Sequence, residues 1–381
     1  MQSKKTLALF LLCQALTGLV SAQSAVINPR WQHGYWTARW IADPGSTGNE
    51  FGVYHLRKSF TLPDKPASFV VHVSADNRYR LYVNGRSVST GPARSDLANW
   101  NFETVDIASF LQKGDNVVAA TVWNFATYRP YAQISFQTAF ILQGDGAPES
   151  VINSNASWKI ILDSSYQPLP IDKEKMHTYI VTADGERLDG NHYPWGYEQP
   201  GYDDSRWAQA SVLWYPAKTR TFGTDGNWML VPRAIPLPEE TPQRFAAIRR
   251  GNIPGMDMRD YKAFLSGKSP LQIPAHSHVT LLLDQSVLTN AYPVLRTSGG
   301  RNALLRLSYA EAMVNDQGVK GNRDSVAGKK LMGIADEYMS DGGQDRLYSP
   351  LFFRTFRYLQ LDIETKNEPL ILRDFYSLFT G

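Results

Sequence analysis

Apolar and polar positions alternate most regularly between Val70 and Phe140, and the densest part reads VVHVSADNRYRLYVNGRSVSTGP. Tyr79, Leu81 and Val83 fall on one side of this run, and Arg78, Arg80 and Tyr82 on the other. Such a period of two predicts a half-buried strand. Asn84-Gly85 follows directly, the dipeptide that most easily takes positive φ at both centres of a tight hairpin. The segment FETVDIASFLQKGDNVVAATVWN then predicts two strands around a Gly-Asp-Asn turn, the second ending at Trp123. YAQISFQTAFILQ alternates again. Together these runs predict an antiparallel β-sandwich.

WTARWIADP and VYHLRKSFTL lead into that stretch as further strand-like segments. A less regular region, about 150–230, holds SWKIILD, a Pro- and Tyr-rich passage and GYDDSRWAQASVLW. Asp203-Asp204-Ser205 reads there as a turn or a helix start, and the region is expected to complete the same sandwich. The second half contains HVTLLLDQSVLTNAYPVLRTSGG, ALLRLSYAEAM, ADEYMSDGG, FRTFRYLQLDIET and PLILRDFYSLFT. These are strands joined by Gly-rich loops and predict a second sandwich. The fold class is therefore all-β, two consecutive antiparallel sandwiches.

Tryptophan usage places the junction. All 10 tryptophans lie between Trp31 and Trp228. The change falls beside VPRAIPLPEETPQRF, whose prolines 232, 236, 238 and 242 make an extended connector. The expected units are a jelly-roll sandwich over 31–235 and a second sandwich over 241–381.

The first 22 residues read as an address. Lys4 and Lys5 precede the apolar run LALFLLCQAL, and Val20-Ser21-Ala22 offers a small-residue cleavage site, so a secretory signal peptide is expected. The only cysteine, Cys13, would leave with it, and a chain this long can bury a core without disulfides. A periplasmic or cell-surface location is the expectation. The net charge of +3 falls to +1 without Lys4 and Lys5, and no basic stripe is present. Nucleic acid and anionic membrane are therefore not expected as partners.

The order of ARWIADP, RKSF, SADNRYRLYVNGRSV and FETVDIASFLQKGDNVVAATVWN resembles the N-terminal module of bacterial α-L-rhamnosidases, a jelly roll of the galactose-binding type. SGGRNALLRLSYAEAM, KGNRD, ADEYMSDGG and SPLFFRTFRYLQLDIET resemble the β-sandwich that follows it in those enzymes. The resemblance implies a fold of two sandwiches and a rhamnose-containing oligosaccharide or polysaccharide as partner. In the family, hydrolysis belongs to an (α/α)6 barrel after the second sandwich. The sequence stops at Gly381, where that barrel would begin. Glycoside hydrolysis needs two facing carboxyls, and no such pair carries over to any position here. The expected role is the non-catalytic recognition and support portion of an exported α-L-rhamnosidase, with a downstream or separately encoded barrel as partner. The alternative is a stand-alone carbohydrate-binding protein.

Two groups of residues carry sugar-binding chemistry in type: aromatic faces beside planar polar groups. The first is Asp76, Asn77 and Arg78 with Trp123, Asn124, Tyr128 and Arg129; the second is Asn322 and Arg323, in a long polar loop, 315–333, expected to project toward the barrel and line its substrate cleft. The competing structural reading makes Trp123 and Tyr128 core aromatics and Asp76 and Asn77 turn residues. For the loop it makes Glu311, Arg323, Asp336, Arg354 and Arg357 an ion-pair network. No cofactor is expected. By analogy with galactose-binding modules, a structural calcium would use carboxylates such as Asp76 and Glu103.

Overall fold

The computed structural model describes residues 26–176, 180–219 and 227–381, so the expected signal peptide lies outside the described residues. The chain is almost entirely β, and among the described residues no helix is long and apolar enough to cross a membrane.

Two sheets face each other in the first half. Seven strands make one, with Ala139–Gly144, Val70–Asp76 and Trp100–Asp106 at its centre; six make the other, around Gly52–Leu62, Gly114–Asn124 and Arg78–Val83. Between them pack Leu56, Leu81, Val118 and Ala120 from the six-stranded sheet and Val71, Val73, Phe140 and Leu142 from the seven-stranded one. Strand Arg78–Val83 alternates as its sequence demands: Tyr79, Leu81 and Val83 are fully buried, and Arg78, Arg80 and Tyr82 look out on the other face. Asn84 and Gly85 turn it into Arg86–Gly91 at φ 48° and 81°, left-handed values that a hairpin of this type requires. The tryptophans Trp31, Trp36, Trp40, Trp100 and Trp228 cover the outer face of the seven-stranded sheet. This layer takes five of the 10 tryptophans.

The second sandwich is built from a single 11-stranded sheet. Its spine is His278–Gly299, 22 residues long, with a register shift between Asp284 and Thr289. Before the shift this strand pairs with Arg354–Glu364, and after it chiefly with Leu370–Phe379. A bulge of this kind bends the strand, so one sheet supplies both layers. Leu281, Leu283, Leu305 and Leu361 meet Leu295, Leu372 and Phe375 in a shared core.

One expectation is corrected here. The region 150–230 does not join the first sandwich as a whole. Lys159–Leu162, Ala208–Gln209 and Met229–Pro232 pair there, but Tyr166–Leu169 and Gly185–Asp189 belong to the second sheet. Gly185–Asp189 runs parallel to Ile334–Met339, with Arg187 opposite Glu337 and Leu188 opposite Tyr338. The cause is partly steric: a Cβ on Gly185 would collide with the Ala335 carbonyl oxygen. It is partly apolar, because Tyr166 and Leu188 bury into the second core. Val53 and Trp123, register partners on adjacent strands of the six-stranded sheet, enter that same core. The two halves are therefore joined through buried surface and a shared hairpin as well as through the proline-rich connector.

Candidate functional site between the sandwiches

The outward face of strand Arg78–Val83 is the starting point. Its Arg80 and Tyr82 are half-buried and look toward the second sandwich across a cavity of about 560 Å³. That volume is in the range of ordinary small-ligand sites. The opposite wall comes from two paired strands. Tyr292 and Val294 alternate on His278–Gly299, and they lie opposite Leu378 and Tyr376 of Leu370–Phe379. Because residues two apart share one face of a sheet, all four line the same side.

The third wall is the Pro- and Tyr-rich passage, folded as a loop around 190–202. Arg57, almost fully buried, ties this loop down: it donates to the Tyr197 carbonyl, donates to the Gln199 carbonyl at 3.2 Å, and meets Asp204 at 2.9 Å. The Tyr197 ring lies 4.0 Å from the ring of His55, whose Nε2 faces Asp163 at 2.7 Å. Tyr197 and Thr121 share a hydroxyl contact of 2.5 Å. Burial pushes the Tyr193 and Tyr197 phenols well above their ordinary value, so both remain neutral donors. Tyr193 and Trp195 stand 4.7 Å apart, edge to face, and Arg346 stacks on Trp195 at 4.5 Å.

The cavity's charged groups differ in how far they are already occupied. Arg346 is held by two bonds to Asp341, at 3.0 and 2.7 Å, and Asp345 meets Arg296 at 2.5 Å. Arg80 lies over the Tyr292 ring at 5.6 Å. Burial works against its charge, while Tyr82, Tyr292 and Glu240 more than offset that and keep it protonated. Among the described residues, ion pairs within 4.0 Å include none to Arg80 or to Glu240, although both line the cavity. Tyr348 lines it too, and its buried hydroxyl has no protein hydrogen-bond partner. Aromatic faces from three walls, with a guanidinium and a carboxylate that have no ion-pair partner among the described residues, are the chemistry of carbohydrate recognition.

The residues singled out in the sequence lie elsewhere. Asp76 is fully buried, and its carboxylate accepts from Ser135 Oγ at 2.7 Å, Phe136 N at 2.7 Å, Gln137 N at 3.2 Å and Trp228 Nε1 at 3.0 Å. Asn77 Nδ2 donates to Asp76 and to the Ile134 carbonyl. Asn124 donates to Ser135 and Thr138 and accepts from the Ala126 amide. These three are brought together, but as the internal frame of loop 133–138. Trp123 points away from them into the second core. Arg78 donates to the Pro92 carbonyl, Tyr128 packs edge-on against Phe51, and exposed Arg129 donates to the carbonyls of Gln133 and Ala126. Asn322 and Arg323 are exposed, and Arg323 offers its carbonyl to the Tyr358 hydroxyl at 2.7 Å. Loop 315–333 is held by Arg357, which bridges Asp284 and Asp324, with Arg249 on Asp284. Asp336 and Arg354 form a separate buried pair.

The calcium expectation does not fit these side chains. Asp76 is enclosed by the donors just named, and Glu103 accepts from the Tyr79 hydroxyl, the Ala93 amide and Arg233. Among the described residues no cluster of three or more His, Cys, Asp or Glu is arranged to hold a metal. The cavity residues carried one sequence signal, the run HYPWGYEQPGY. Tyr292 and Tyr376 carried none, because each is an ordinary strand aromatic until the two sandwiches face each other.

Comparison with known proteins matches the α-L-rhamnosidase N-terminal domain over residues 64–225. An α-L-rhamnosidase of Streptomyces avermitilis is 24% identical over 358 residues, which cover 89% of this chain and 29% of that relative. Among solved structures, the GH78 family rhamnosidase of Bacillus sp. GL1 superposes with a TM-score of 0.72 at 15% identity, covering 91% of this chain and 55% of that one. The α-L-rhamnosidase of Aspergillus terreus gives 0.59 at 18% identity, covering 91% and 36%. The chain thus spans less than a third of its curated relative.

Proposed function

We propose, from the premise that this chain is an N-terminal region of the α-L-rhamnosidase family, that it is the non-catalytic recognition and support portion of an exported enzyme acting on rhamnose-containing glycans. Part of the glycan is held in the cavity between the sandwiches. The observation that carries this reading is the cavity's lining, with Tyr82 and Tyr376 facing in from opposite sandwiches beside Arg80 and Glu240, neither of which has an ion-pair partner among the described residues. A sugar ring stacks its C–H face on such aromatics and offers hydroxyls to both polar groups at once. Export is supported by the basic and apolar start of the sequence and its small-residue site at 20–22.

The test is calorimetric titration of the chain with a rhamnose-rich oligosaccharide. Tyr82→Ala and Tyr376→Ala are each expected to weaken binding about tenfold, near 1.4 kcal/mol, with melting temperatures little changed because both side chains are only half-buried. Undiminished affinity in both variants would remove the cavity from the account. An aryl α-L-rhamnoside is expected to stay intact in the presence of the chain alone, and turnover would contradict the non-catalytic role.

A further inference from the structure

The cavity's charges can be sorted by what already occupies them. Of its two guanidiniums, Arg346 is engaged by Asp341 and Trp195, which leaves Arg80 as the available fork of donors. Of its carboxylates, Asp345 is engaged by Arg296, while Glu198 and Glu240 line the cavity without a cation within 4.0 Å among the described residues. The available groups are thus one cation and two anions. Arg80 and Glu240 face one cavity yet do not close on each other.

We infer, resting on the carbohydrate reading above, that this cavity selects a neutral sugar presenting two adjacent hydroxyls, gripped between Arg80 and Glu240, and rejects a uronate. A guanidinium points parallel N–H groups at two oxygens, which suits a vicinal diol. The hydroxyl protons then need acceptors, and a carboxylate offers acceptors only. Glu240, which lines the same cavity, supplies them. A sugar carboxylate would be welcome to Arg80 alone. It would also stand in the field of Glu240 and Glu198, and like charges brought together in a partly desolvated site oppose binding strongly.

The experiment titrates the full chain with methyl α-L-rhamnoside and, separately, with methyl β-D-glucuronide at neutral pH. Wild-type protein is expected to bind the rhamnoside at least tenfold more tightly. E240Q keeps the shape and removes the charge, so it is expected to weaken the rhamnoside and to narrow the ratio to about threefold or less. R80K keeps the charge but not the fork and is expected to weaken the rhamnoside about tenfold. Thermal melts of each variant check folding, and the wild-type ratio stands whether or not a variant folds. A uronate bound equally or more tightly by wild type overturns the selectivity and leaves the cavity a sugar site. A ratio unmoved in folded E240Q overturns the role of Glu240. Failure of wild type to bind either sugar overturns the carbohydrate reading itself.

Discussion

Replacing Arg354 with methionine is expected to destabilise the chain by roughly 3–5 kcal/mol, the cost of stranding a buried charge. Arg354 is 1% exposed and Asp336 not at all. The guanidinium meets both Asp336 oxygens, at 2.9 and 2.5 Å, and also donates to the carbonyls of Ala183 and Asp184 at 3.1 Å. It therefore holds strand Ile334–Met339 and the entry to Gly185–Asp189 at one point. Methionine would fill much of the volume but leave Asp336 buried without the cation that pairs with it. The hairpin that the second sheet receives from the first half would lose its anchor at the same time. Denaturant unfolding of wild type and Arg354→Met measures this. The midpoint should fall steeply, and a loss under about 1 kcal/mol would show that the pair is not the anchor described.

The second large effect is a pH dependence centred on Glu186. This side chain is fully buried, and among the described residues its carboxyl oxygens take only the Leu351 amide, at 3.0 and 3.2 Å. Burial and the neighbouring Asp336 push its pKa from the ordinary 4.5 up to about 8, against the opposing pull of Arg354. Between those two values the folded chain keeps a proton that the unfolded chain has released. Stability is then complete below the unfolded value and is lost as pH rises through the folded one. The slope is about 1.4 kcal/mol per pH unit, a few kcal/mol over the whole window. Glu186→Gln retains an acceptor for Leu351 and has no proton to lose. Unfolding free energies at pH 5, 7 and 9 should fall for wild type and stay nearly level for Glu186→Gln. Parallel curves for the two proteins would contradict a titrating acid at this position.

Local pattern carried most of the fold because each strand states its own periodicity. Tyr79, Leu81 and Val83 bury as their alternation requires, and Asn84-Gly85 turns where the dipeptide demands positive φ. Pairing over long separation was not legible. Gly185–Asp189 finds Ile334–Met339 about 150 residues away, through a missing Cβ, a buried acid and an arginine that no short window relates. The same limit explains the site. Asp76, Asn77 and Asn124 have the residue types of a sugar site, but their polar atoms are taken up in framing loop 133–138. Arg80 and Tyr82 were visible only as the polar side of a strand, and their role follows from Tyr292 and Tyr376 standing opposite.

Amide hydrogen exchange, followed with and without a rhamnose-rich oligosaccharide, tests the cavity most directly. Slowed exchange is expected in three separate segments, 80–87, 193–199 and 345–351, which together line the cavity. Slowing confined to 124–129 or 320–326, with these three unchanged, would contradict it.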